Sequence, residues 1–137
     1  MTLFEECIIA LGNDVEILSQ AETSYYFDEL VKKFPVTSWA RIDWNSISIK
    51  KPIEELGEII IWLNDMNIKN TKVIILWNHT DSPGISTELR NALNVIDDIT
   101  AVGSDTFMFC PHNNYVIEFY HEGEITVGLK TNVNFCL

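Results

Sequence analysis

The chain has 137 residues, of which 47% are apolar and 21% charged, and twenty Asp and Glu against nine Lys and Arg give a formal charge of -11. That composition excludes a disordered tail, and a chain of this length closes one core burying roughly two thirds of the surface its unfolded form exposes, so one domain spanning 1–137 is expected without metal or disulfide staples. A reader of DNA or RNA replaces counterions with lysines and arginines, which are scarce here, and the carboxylate excess repels an anionic membrane; a basic protein is the expected partner, with no nucleic acid and no membrane.

The opening Met1-Thr2-Leu3-Phe4-Glu5-Glu6 carries acids where a secretory leader carries lysines. Apolar stretches such as Ile59 to Leu63 fall far short of the roughly 20 residues of a membrane helix, and a cytoplasmic protein is expected. Val15 to Leu18 suits a short strand. The four-residue recurrence of Tyr26, Leu30 and Phe34 predicts a helix from about Ala21 to Phe34, which Pro35 should end. Partial alternation of Ile42, Trp44, Ile47 and Ile49 predicts a strand and turn across Trp39 to Ile49. Pro52 suits a first helical position, Glu54 and Glu55 suit the positive end of a helix dipole, and Leu56, Ile59, Ile60 and Leu63 form one stripe.

Lys72 to Asn78 is a continuous apolar run and predicts a central strand covered on both faces. Asp81 to Gly84 reads as a turn, and Ile85, Leu89, Ala92, Leu93 and Ile96 predict a further amphipathic helix. Four β-branched or aromatic runs follow, at 99–102, 105–110, 115–120 and 124–129, separated by turn residues at 103–104, 111–114 and 121–123. The fold class expected is α+β (mixed α/β): a central sheet with a C-terminal antiparallel meander and helices packed on it.

Charge is unevenly placed. Residues 1–31 carry -7, residues 32–80 carry +2 and residues 81–137 carry -6, so a fold that joins the two ends creates one negative face. Asp97 and Asp98 are adjacent between a predicted helix and strand; the plainer reading has them closing the helix end or facing solvent, but the negative end of a helix dipole disfavours acids there, which hints at a purpose outside stability. Glu118 stands in the otherwise apolar Val116-Ile117-Glu118-Phe119-Tyr120; its carboxylate either faces solvent, the plainer reading, or is held by a buried partner. With Glu122 and Glu124 on the next turn it can belong to an acidic patch.

Other chemistry is poorly supported. His112, Glu118 and His121 match no metal-ligand spacing, Ser82 beside His79 and Asp81 has no nucleophile elbow, and no phosphate loop exists. No metal or other cofactor is expected. Cys7, Cys110 and Cys136 read as free thiols, too few and too far apart for a zinc site. Among the four tryptophans, Trp62 and Trp77 read as core; Trp39 and Trp44 flank a less regular segment and read either as core, the plainer reading, or as partly exposed anchors for a partner.

The runs I-D-D-I-T-A-V at 96–102, S-D-T-F-M-F at 104–109 and Y-V-I-E-F-Y-H-E-G-E-I-T-V-G at 115–128 resemble the C-terminal half of CdiI-like immunity proteins of bacterial contact-dependent growth inhibition systems. The resemblance spans roughly Trp77 to Leu129. It implies a small cytosolic, non-enzymatic protein that binds the toxic C-terminal domain of a partner, usually a nuclease with an RNase favoured, and blocks its active site or substrate surface. The charge distribution agrees, because a nuclease grips phosphates with positive charge that clustered carboxylates can cover. The toxin-binding residues expected are Asp97, Asp98, Asp105, Glu118, Glu122 and Glu124. Two alternatives stand beside this reading: an acidic adaptor for another basic protein, and a small enzyme holding a metal with Asp97, Asp98 and His121.

Overall fold

The protein is described by a computed structural model covering residues 1–37, 41–78 and 80–130. Its first element is a helix that the sequence reading passed over. Phe4, Cys7, Ile8 and Leu11 share one side of α1 (Leu3–Leu11), and Thr2 and Glu5 cap it reciprocally, each side chain accepting from the other's backbone N–H. A short strand, β1 (Val15–Ile17), leads to α2 (Gln20–Lys33), where Ser19 and Glu22 repeat the capping box and Lys32 and Lys33 suit the negative end of the dipole.

The remaining elements are β2 (Ile49–Ile53), α3 (Gly57–Asp65), β3 (Lys72–Trp77), β4 (Ile85–Glu88), α4 (Leu89–Asn94), α5 (Ile96–Thr100), β5 (Thr106–Cys110), β6 (Tyr115–Phe119) and β7 (Ile125–Leu129). All seven strands form one antiparallel sheet in the order β1-β4-β3-β5-β6-β7-β2. This is the expected α+β architecture, with β3, β5 and β6 at its centre.

Alternation along the central strands builds two cores. Val73, Ile75 and Trp77 of β3, Met108 and Cys110 of β5, and Tyr115, Ile117 and Phe119 of β6 meet α1, α3, α4 and α5 on one face. On the other, Ile74, Leu76, Phe107, Phe109 and Val116 meet Leu30 of α2 and Phe34, its C-cap, together with Ile42 and Ile47. Burying one such side chain contributes about 1.5–3 kcal/mol, and both cores depend on the same strands.

Four expected elements differ. Pro52 lies inside β2 rather than opening a helix; β2 is an edge strand, paired only with β7, so a residue lacking an N–H is tolerated there, and α3 begins at Gly57. Ile85–Glu88 is strand, because it pairs with both β1 and β3, and only Leu89–Asn94 continues as helix. The run at 99–102 is not a strand: Ile96 and Ile99, three residues apart, share one side of α5 on the first core, and Val102 packs there just beyond the helix. Between Pro35 and β2, a Val36–Ile42 bridge and a 3-10 turn over Trp44–Ser46 replace the expected strand, whose residues 39 and 40 lie outside those described.

That irregular segment packs closely against β7. A Cβ added at Gly128 would run into the Trp44 ring and lie 3.3 Å from Ile47 Cγ2. Gly128→Ala is expected to cost about 1–3 kcal/mol through overpacking, read as a lower urea midpoint at unchanged m-value.

The thiols of Cys7 and Cys110 are buried and free. Burial, reinforced by the negative charge of Asp98, pushes the Cys7 thiol up to about 11 from its ordinary value near 9. Because folding favours the protonated form, its contribution is full below about pH 9 and is lost as pH rises through about 11. Urea titrations at pH 8 and pH 11 should therefore show a smaller alkaline loss of stability in Cys7→Ala than in the parent; an identical loss would assign the effect to other groups.

Candidate functional site

The β6–β7 hairpin turns through His121, Glu122 and Gly123, closed by Tyr120 N–H to Glu124 O and Gly123 N–H to Tyr120 O, each at 2.9 Å. Gly123 takes φ +98, a left-handed conformation open to glycine at little cost. This turn carries His121, Glu122 and Glu124 at one end of the sheet.

Glu118, one turn of pleat before it, faces the second core and is only 1% exposed. Its Oε2 accepts from the Ile42 N–H at 2.8 Å, and its Oε1 accepts from Arg41 Nε at 3.1 Å and from the Trp44 indole N–H at 2.9 Å. The solvent-facing reading of this residue is thus corrected: three donors from the irregular segment satisfy a buried carboxylate. Arg41 then reaches past it to Glu124, whose Oε2 lies 3.1 Å from Nη2, and its guanidinium sits 4.1 Å from the Tyr120 ring centroid. Burial draws the Arg41 guanidinium down, but its hydrogen bonds to Glu124 and Glu118 and their charges outweigh this and hold it above its ordinary value.

Asp105 is also internal. It is 3% exposed, and its Oδ1 accepts from the His121 backbone N–H at 2.8 Å and lies 3.1 Å from the His121 ring Nδ1. A carboxylate oxygen cannot donate, so a neutral His121 holds its proton on Nδ1 and leaves Nε2 as an acceptor. Its side chain is half-exposed.

Beside this pair, on the first-core face, opens a cleft of about 560 Å³. Leu56, Ile96, Phe119 and Ile125 form its apolar wall, while Asp97, Thr100, Ser104, Tyr120 and His121 supply polar groups.

The six expected toxin-binding acids are therefore divided. Asp97, Asp98, Glu122 and Glu124 are exposed, whereas Asp105 and Glu118 lie beneath them, holding the turn and the irregular segment to the sheet. Asp97 and Asp98 occupy the first turn of α5, not the end of the preceding helix, because the chain breaks helix at Val95 and restarts. Acids are favoured there, which removes the apparent mismatch with the dipole.

The two acidic ends of the sequence meet where α1 packs on α5, close enough for Asp98 to act on the Cys7 thiol. His112 and His121 sit in turns at opposite ends of β6, so no site can join them. Among the described residues, no three His, Cys, Asp or Glu converge as metal ligands, and the set Asp97, Asp98 and His121 is not assembled. His79, Trp39 and Cys136 lie outside the described residues. Trp62 and Trp77 are core, and Trp44 is half-buried with its indole committed to Glu118.

Arg41 was missed from sequence, although a carboxylate inside an apolar strand demands a donor and the chain has only two arginines, Arg41 and Arg90.

Residues 1–128 match the protein family described as CdiI immunity protein EcoliA0-like. No curated protein matches the chain.

Proposed function

The chain belongs to the CdiI immunity protein family, immunity proteins of contact-dependent growth inhibition, and on that premise we propose that it binds and neutralises a cognate, basic C-terminal toxin domain. The toxin is a nuclease in this reading, with an RNase favoured, and the protein acts in the cytoplasm as a stoichiometric inhibitor rather than as an enzyme. One observation carries the assignment of the surface: Asp97, Asp98, Glu122 and Glu124 are all exposed, and Asp97 shares a cleft with His121 of the β6–β7 turn, which Asp105 ties down through the His121 N–H.

Two physical effects would act there. Surplus negative potential speeds the encounter with a cationic groove, and carboxylates whose backbone is already fixed lose less freedom on pairing with lysine or arginine. Protection against a lethal enzyme calls for nanomolar affinity or better, about -12 kcal/mol, which an interface of about 1,600 Å² can supply. Co-expression tests the reading. Cells carrying the toxin domain encoded beside this gene should grow only when the protein is present, and a well-folded protein that gives no rescue would refute it.

A further inference from the structure

The polar groups around the cleft share an unusual property: the three whose roles can be assigned are acceptors. Asp97 is an exposed carboxylate in the first turn of α5. The Thr100 hydroxyl spends its proton on the Ile96 carbonyl at 3.0 Å, so what it offers outward is lone pairs. The neutral His121 ring, with Nδ1 turned to the buried Asp105 carboxylate, offers Nε2 as an acceptor. No lysine or arginine is among the described lining residues, so no cation of the lining answers these acceptors.

The remaining wall suits an aliphatic stem. Leu56, Ile96, Phe119 and Ile125 present an apolar side. Long basic side chains bury their methylenes against such a surface while the charged head, a donor without acceptor capacity, meets the acceptors. A volume of about 560 Å³ is ample for one such side chain. An anionic ligand would meet the Asp97 carboxylate with no cation of the lining to offset it.

We propose that this cleft receives one arginine or lysine side chain of the partner protein, with its stem against Leu56, Phe119 and Ile125 and its charged head between Asp97, Thr100 and His121. The proposal rests on the toxin-binding reading and deepens it, placing a central anchor at the acidic end of the sheet. An aromatic and apolar pocket that desolvates one charged contact concentrates binding energy in a way that scattered rim acids do not.

A titration without toxin tests the cleft independently of that reading. Nα-acetyl-L-arginine N-methylamide, added to isotopically labelled protein up to tens of millimolar, should give saturable NMR shifts at Thr100, Ser104, Tyr120 and His121, and the norleucine analogue should not. Asp97→Asn should weaken the arginine compound at least 3-fold at an unchanged melting temperature. Ser104→Trp, a substitution at an exposed lining position, should fill the cleft and abolish the shifts. In the complex, the same two variants should lower toxin affinity at least 10-fold. Equal shifts from the norleucine compound, or no shifts confined to the cleft, would overturn the proposal even where toxin neutralisation stands. Conversely, a cleft that binds the arginine compound in a protein giving no rescue would leave the anchor site intact and remove the toxin reading.

Discussion

Glu118→Ala is expected to destabilise the protein by about 3–5 kcal/mol, the scale for stripping one partner from a buried ion pair. The loss removes the acceptor of three donors at once: Arg41 Nε, whose guanidinium keeps only Glu124, the Ile42 N–H and the Trp44 indole N–H. It also leaves the second core with a void beside Phe107 and Thr126, the cross-strand neighbours of Glu118. Glu118→Gln preserves the shape and one acceptor but turns an NH₂ toward donors, so a smaller loss of about 1–3 kcal/mol is expected. Urea denaturation of the two variants and of Arg41→Met separates the effects. Arg41→Met should fall between them, because Ile42 and Trp44 still satisfy the carboxylate. A cost below about 1 kcal/mol for Glu118→Ala would mean that the irregular segment does not depend on this carboxylate, since that is the scale of an ordinary surface change.

Reversing charge at the acidic end should act on association rather than on folding. Asp97→Lys combined with Glu122→Lys removes two exposed carboxylates and adds two cations at the end that carries the cleft. The association rate with the toxin domain is expected to fall about 10–100-fold at low salt, and the deficit to shrink as salt screens the field. Glu16→Lys, on the exposed edge strand β1 at the far side of the sheet order, supplies the same kind of charge change away from that end and should alter the rate little. Stopped-flow measurements across salt concentrations distinguish the cases. A loss from Glu16→Lys in proportion to its charge change, +2 against +4 for the pair, would show that only net charge matters and that the acids have no preferred place.

The parts of the fold legible in sequence were those where one signal dominates. The apolar run of β3, the four-residue spacing within α2 and the evenly punctuated β5–β6–β7 meander each had no competing reading, and each stands where it was expected. Where sequence reading failed, tertiary pairing outweighed local pattern. Ile85 to Ile96 carries a fair helical spacing, yet its first four residues are strand because β1 and β3 both need a partner there. Pro52 reads as a helix opener until an edge strand with a free side is known to exist.

The site divides the same way. The acidity of the 118–124 region and its turn were visible from residues alone, but which carboxylates face inward was not. That depends on Arg41 and Trp44 reaching across 77 and 74 positions of chain to Glu118, a contact no local spacing encodes. Burial of Asp105 against His121 is likewise a product of the turn's closure.

Hydrogen–deuterium exchange of the protein with and without its toxin domain tests the central claim most directly, because it reports which backbone is covered without relying on any variant. The account predicts slowed exchange in α5, in residues 103–105 and across the 120–124 turn, with β1 and the exposed side of α2 unchanged. Protection confined to β1, α2 or the outer side of α3, with the cleft and its turn exchanging as in the free protein, would contradict it.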